Sequence, residues 1–115
     1  FYAVQKTILD DEKIFFKKFK NVKLCDHLLD EFSDTAMILS KMDLVITIDT
    51  SIVHCAGAMG IKTLLLTPFV PDWRWGLKSN RTEWYQSVKL LRQESLDDWS
   101  VPLKKTKDEM TKFKK

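Results

Sequence analysis

Residues 43–54, with the sequence DLVITIDTSIVH, decide the fold because an apolar strand runs directly into a helix here. Asp43–Ile48 is rich in β-branched residues and almost continuously apolar, which is typical of a strand covered on both faces. Polar residues 49–51 end the strand and can cap a helix predicted over Ser51–Met59. Gly60 follows as a suitable C-terminal stop. A strand, a short polar turn and a helix in this order predict an α/β fold.

The rest of the chain repeats this alternation of strand-like and helix-like patterns. We expect one domain over residues 1–115, a Rossmann-like three-layer α/β/α fold with a mainly parallel sheet of about five strands. The strands are predicted at residues 1–5, 22–25, 43–48, 62–67 and 88–92. The remaining helices are predicted from Asp10 to Asn21 with Ile14, Phe15 and Phe19 on one face, from Ser33 to Met42, and from Ser100 onward with Trp99, Leu103, Met110 and Phe113 against the sheet.

The positive charge of the chain is concentrated at its C-terminal end. Residues 104–115 carry six lysines against Asp108 and Glu109, a net of +4, whereas the whole chain carries +3. The remaining residues therefore sum to −1 and provide no basic face for nucleic acid. We interpret the lysine-rich end as the solvated end of the last helix.

The composition indicates a globular protein, with 44% hydrophobic and 30% charged residues. No apolar run approaches the roughly 20 residues that span a bilayer, so no membrane span is predicted. Cys25 and Cys55 belong to no zinc-like cluster, and we expect two reduced core thiols in a cytoplasmic protein without a metal site. The first residues, Phe1–Gln5, lack a signal-peptide pattern and an initiating Met, which favours a piece of a longer protein.

The turn that begins at Asp49 is the first candidate site. Open α/β sheets bind ligands at the carboxyl ends of their strands. The unpaired amides at the start of the helix can bind a phosphate, and the hydroxyls of Thr50 and Ser51 add donors. His54 lies one turn further along the same face. The alternative is that these residues only cap the helix and that His54 has a structural role.

Two further segments carry candidate binding residues. In residues 68–86, a long aromatic-rich loop, Arg74 can grip an anion and Trp73 can stack on a ring. The alternative is a hydrophobic lid with a surface arginine. Asp34 and Thr35 open a helix, where capping is the better local interpretation.

Other catalytic patterns are missing from the sequence. It contains neither GxGxxG nor GxxxxGK[ST], so neither a dinucleotide fingerprint nor a P-loop is predicted. A nucleophilic pair of Ser51 and His54 lacks a GxSxG turn and a clear third member. A Ser/His hydrolase is therefore disfavoured.

The ordered combination of short motifs resembles the C-terminal part of bacterial glycosyltransferases of the heptosyltransferase family (family 9), especially versions fused to tetratricopeptide repeats. The likeness covers nearly the whole chain, from Phe1 to about Trp99. Its motifs are FSDTA at residues 32–36, DLVI at 43–46, DTSIVHCAGAMG at 49–60, PDWRW at 71–75, WY at 84–85 and LRQ at 91–93.

The resemblance implies half of a GT-B fold, namely the domain that binds a nucleotide-diphosphate sugar without a required metal or other cofactor. It implies that Asp49, Thr50, Ser51 and His54 meet the donor diphosphate, with His54 catalytic in stabilising the leaving group. It also makes Asp34, Thr35, Asp72, Trp73 and Arg74 motif members, of which Trp73 and Arg74 would close the cleft. The partner would be the N-terminal half-domain, or repeats, of the same protein.

Two functions from different classes follow. The first is the donor-binding portion of a glycosyltransferase that transfers a sugar to an acceptor hydroxyl, with the isolated chain inactive. The alternative is a ligand-binding or interaction module that retains the fold without turnover.

Overall fold

The computed structural model describes residues 1–113 and has the predicted α/β class, with parallel strands throughout its sheets. The described chain contains five strands and four α-helices. In chain order they are β1 (Tyr2–Ala3), α1 (Asp10–Phe16), β2 (Lys23–Leu24), α2 (Phe32–Leu39), β3 (Val45–Thr47), α3 (Ser51–Ala58), β4 (Thr63–Thr67), β5 (Val88–Arg92) and α4 (Ser100–Phe113), with short 3-10 turns at Asp26–Leu28 and Trp73–Trp75.

The backbone groups into two compact units, and the first comprises Phe1–Ile38. Within it, β1 and β2 form a parallel two-stranded sheet that pairs Tyr2 with Lys23 and Ala3 with Leu24. Ile8, Cys25 and Leu29 are buried. The five predicted strands are thus present, but they are divided between this sheet and a three-stranded one instead of forming one sheet.

The prediction that α1 extends to Asn21 was wrong. The helix ends at Phe16, and the amides of Lys18 and Phe19 donate three residues back, to Phe15 and Phe16. Hydrogen bonds between residues three apart are typical of the last turn of a helix. Ile14, Phe15 and Phe19 are all exposed, and the rings of Phe15 and Phe19 pack on each other at 5.3 Å.

The second unit runs from Leu39 to the end of the described chain and contains a parallel sheet in the order β3-β4-β5. Every residue of β4 is buried, as expected for a central strand. The expectation that residues 43–48 form a strand covered on both faces was wrong, because β3 lies at the edge of this sheet. Ile46 is 40% exposed and Ile48 57% exposed.

Three layers can be traced in this unit from the alternation of side chains. Leu65 and Leu90 pair across β4 and β5 and pack with Val53 of α3 in one core. Lys89, which points to the opposite face, donates to Glu109 of α4 at 2.7 Å. The two helices therefore cover opposite faces of the sheet, as in a Rossmann-like half-domain.

Specific contacts end α3 and hold α4 against the sheet. α3 ends in a Schellman motif, in which the amides of Gly60 and Ile61 donate to the carbonyls of Gly57 and Ala56. Gly60 has φ +69°, so the predicted glycine stop is confirmed. For α4, the predicted docking residue Leu103 is 57% exposed, and Pro102 and Thr106 are buried instead.

The lysine-rich end lies partly outside the described residues, since Lys114 and Lys115 are not among them. Cys25 and Cys55 are free and buried, as predicted. Within residues 1–113, none of the helices combines the length and the apolar character that crossing a bilayer requires.

Candidate functional site

The turn between β3 and α3 exposes its three polar residues, Asp49, Thr50 and Ser51, at the carboxyl end of β3. Thr50 is the N-cap of α3, and its Oγ1 accepts a 3.3 Å hydrogen bond from the amide of Ile52. Thr47 Oγ1 lies 3.4 Å from the same hydroxyl. The turn is thus the capped start of a helix, and its polar side chains are exposed to solvent.

His54 lies half-buried one turn into α3 and is held on three sides. Its Nδ1 is 3.0 Å from the hydroxyl of Tyr85, and its ring stacks on Trp75 with centroids 5.5 Å apart. Its Nε2 is 3.9 Å from Asp49 Oδ1, a distance at which the two form an ion pair when the imidazole is protonated. The imidazole is therefore fixed in orientation, with Nε2 towards the turn.

A glycine on α3 makes the contact with Tyr85 possible. A Cβ on Gly57 would stand 2.5 Å from Cγ of Tyr85 and under 3 Å from two further ring atoms. Because real atoms do not approach so closely, only glycine lets the Tyr85 ring lie against the helix.

Asp72 organises the aromatic loop that follows β4. Its Oδ1 accepts hydrogen bonds from the amide of Arg74 at 3.0 Å and from the guanidinium of the same residue at 2.8 Å. The backbone hydrogen bond from Arg74, followed by its side chain, lowers the pKa of Asp72. His54 makes a further, smaller electrostatic contribution that lowers the pKa of Asp72.

Arg92, at the end of β5, anchors the same loop. Its guanidinium donates to the carbonyls of Gly76 and Ser79 at 2.7–2.9 Å and also to the carbonyl of Trp75. Burial lowers the pKa of Arg92. The anchoring gives the loop a defined shape despite its lack of strands.

The predicted residues Trp73 and Arg74 line an open cleft of about 550 Å³, and all of its lining residues belong to the loop segment 73–84. The guanidinium of Arg74 lies over the Trp73 ring, 5.1 Å from its centroid. The structure thus brings Asp49, Thr50, Ser51 and His54 together at one turn, whereas Trp73 and Arg74 shape the loop cleft.

Asp34 and Thr35 belong to the first unit. Asp34 Oδ2 accepts hydrogen bonds from the amides of Asp30 at 3.2 Å and Glu31 at 2.8 Å, the two residues that precede α2. Thr35 is buried. Asp34 therefore does cap the helix, but from its third helical position and not from the N-cap position that the local sequence favoured.

Tyr85, Trp75 and Arg92 belong to the sequence motifs, but sequence reasoning did not predict that they hold His54 and the loop. One signal was present in the sequence, because a strand–helix–strand pattern predicts parallel strands whose following segments emerge at the same edge of a sheet. β3 and β4 are such parallel neighbours. In the described residues 1–113, no group of three or more His, Cys, Asp or Glu side chains is arranged to hold a metal ion.

No protein-family model matches the chain, and comparisons with curated proteins and with solved structures found no significant match either. The resemblance to heptosyltransferase-like enzymes therefore stays a prediction from sequence motifs.

Proposed function

We propose that this chain is the donor-binding part of a glycosyltransferase that transfers a sugar from a nucleotide-diphosphate sugar to an acceptor hydroxyl. The observation that supports it most is the exposed start of α3 at the carboxyl end of a parallel strand, with His54 held one turn away. Anionic groups of ligands bind at such helix starts in open α/β sheets.

The diphosphate would be bound by hydrogen-bond donors of the turn. The amide of Ser51 is the first of the helix and has no intrahelical acceptor, and the amide of Ile52 makes only the 3.3 Å bond to Thr50. The hydroxyls of Thr50 and Ser51 can donate to further phosphate oxygens. The positive end of the helix dipole favours the ligand's charge.

His54 would stabilise the charge that develops on the leaving diphosphate. When the hydroxyl of Tyr85 donates to Nδ1, a neutral imidazole carries its proton on Nε2, the atom that faces the turn. A donor placed there acts where charge appears in the transition state. Asp49 is a carboxylate and only accepts hydrogen bonds, so its place in the proposal is to orient His54 rather than to contact phosphate.

The other predicted residues keep secondary places in the proposal. The side chain of Arg74 would leave its ion pair with Asp72 and bind the donor instead. Trp73 would move with Arg74, so that the two side chains close over the bound donor. Asp34 and Thr35 are motif members on the strength of the resemblance alone, and they are assigned no contact in the proposed diphosphate site. The acceptor site and the catalytic base would come from the N-terminal half-domain of the same protein.

A charge placed in the turn tests this site without unfolding the helix. Ser51→Glu puts an acidic residue at the first position of α3, which the helix dipole favours, while it repels a diphosphate. We expect the affinity for UDP, ADP or GDP, measured by calorimetry, to fall at least about tenfold, equivalent to about 1.4 kcal/mol. The control, Thr111→Glu at an exposed position of α4, adds the same charge elsewhere. Equal affinities for both variants and the wild type would contradict the site.

The second candidate is a ligand-binding module that retains the fold without turnover. The observation in its favour is that His54 is packed against the buried Trp75 and bonded to Tyr85, contacts that a purely structural histidine would also make. The two functions are separated by an assay of sugar transfer and of donor hydrolysis with the full-length protein. Donor binding without either reaction supports the module.

A further inference from the structure

Two tryptophans of the loop cleft are exposed to an unusual degree for side chains of their size. Trp73 is 73% exposed and Trp84 is 56% exposed. Their rings meet edge to face, with centroids 6.1 Å apart and planes at 76°. Together they form two nearly perpendicular apolar walls of the cleft of about 550 Å³.

The loop that carries these rings is held in place on both sides of the cleft. Arg92 donates to the carbonyls of Gly76 and Ser79, and the amide of Leu90 donates to the carbonyl of Asn80 at 2.8 Å. Exposed aromatic side chains on an anchored loop mark a binding surface, because folding alone gains nothing from leaving them in water.

The polar lining of the cleft is mixed and close to neutral. Arg81 and Glu83 have opposite charges, and Thr82 adds a hydroxyl. The charge of Arg74 is already compensated by Asp72 at 2.8 Å. This lining does not select a strongly charged ligand such as free phosphate. It fits a neutral ligand with an apolar face and several hydroxyl groups.

We propose that this cleft binds a hexopyranose ring. The C–H face of a pyranose stacks on an indole, while its hydroxyls can accept from Arg81 and donate to Glu83. A nucleobase would stack better between two parallel rings than against two perpendicular ones. The assignment goes beyond the proposed diphosphate site and does not depend on it, because a free glycoside and a nucleotide-linked sugar present the same ring.

The test is an NMR titration of the indole N–H resonances of the 115-residue chain. The probes are methyl pyranosides of glucose, galactose, mannose and N-acetylglucosamine, the matching UDP-sugars, and UDP alone. At about 50 mM glycoside, above the millimolar range of weak binding, at least one sugar should shift the resonances of Trp73 and Trp84. Trp99, which lies outside the cleft, should not respond.

Variants separate this cleft from the diphosphate site. Trp73→Ala and Trp84→Ala should each weaken binding of the responding sugar at least about tenfold, whereas Trp99→Phe should leave it unchanged. Ser51→Glu should weaken UDP binding but not glycoside binding. The proposal is overturned if no glycoside or UDP-sugar shifts Trp73 and Trp84, or if UDP alone shifts them and no sugar adds to the effect.

Discussion

His54 is the residue at which the start of α3 and the aromatic loop meet. The helix backbone places His54 one turn from the exposed amides, and the contacts with Tyr85 and Trp75 fix the orientation of its ring. The same packing depends on the missing side chain of Gly57. At the scale of single residues, the geometry of the candidate site therefore depends on close side-chain packing as well as on hydrogen bonds.

Gly57→Ala should disturb the site from within the helix. In a free helix the change to alanine is stabilising, but here the new Cβ would collide with the Tyr85 ring at its inner atom, Cγ. We expect a net loss of about 1–3 kcal/mol in the free energy of unfolding, measured in urea, together with a changed His54 imidazole spectrum. A more stable Gly57→Ala variant with an unaltered His54 spectrum would show that the contact is not as close as described.

Gly60→Ala serves as the matched control for that variant. Nothing lies within 4 Å of a Cβ at Gly60, and its φ of +69° adds only backbone strain. It should cost about 1–2 kcal/mol while leaving the His54 spectrum unchanged.

Tyr85→Phe should release His54 without emptying the core, because the ring is kept and only the hydroxyl is lost. We expect the imidazole to lose its fixed tautomer, visible in its ¹⁵N shifts, and stability to fall by about 1 kcal/mol. Diphosphate binding should weaken in parallel. If the tautomer and the affinity both stay as in the wild type, Tyr85 does not position His54.

At the scale of elements, sequence periodicity predicted which segments form strands and helices better than it predicted their exposure. The strand at Val88–Arg92 and the glycine stop of α3 are confirmed residue for residue. Residues 43–48 were misjudged because an apolar run does not reveal whether its strand lies at the centre or the edge of a sheet. That depends on the strand order β3-β4-β5, which arises only from long-range pairing.

The docking of α4 through Glu109 should depend on pH. Hydrogen bonds from Lys89, and to a smaller extent Lys112, lower the pKa of Glu109 below its ordinary value of 4.5. A carboxylate with a depressed pKa in the folded state contributes stability that is present above its unfolded pKa and is lost as pH falls through the folded value. Glu109→Gln should therefore lower the midpoint of thermal unfolding near neutral pH and reduce its further fall in acid.

The control for Glu109→Gln is Asp108→Asn, which removes the same charge from an exposed position on the same helix. Its thermal midpoint should stay closer to that of the wild type near neutral pH. If both variants follow the same pH curve, the ion pair with Lys89 does not stabilise the docking of α4.

At the scale of the whole molecule, the two compact units differ in how much regular structure they contain. The unit from Leu39 onward has a three-stranded sheet with a fully buried central strand, covered by helices on both faces. In the unit Phe1–Ile38, the strands are two residues long and α1 has no buried residue. The candidate turn and the loop cleft both belong to the unit with the larger sheet.

Amide hydrogen exchange should reveal this difference directly. The amides of β4 and β5 should exchange slowest, because they open only with the whole sheet, and those of α1 and β2 should exchange fastest among the regular elements. Equal protection across both units would indicate a single cooperative body instead.

The central claim is that the amides and hydroxyls at the start of α3 bind a diphosphate, and backbone NMR tests it most directly. Titration of the ¹⁵N-labelled chain with UDP, ADP and GDP should shift the amides of Ser51, Ile52 and His54 first, with the largest effect for the preferred base. The claim is contradicted if those amides stay still at millimolar nucleotide, or if the shifts fall only on residues far from this turn.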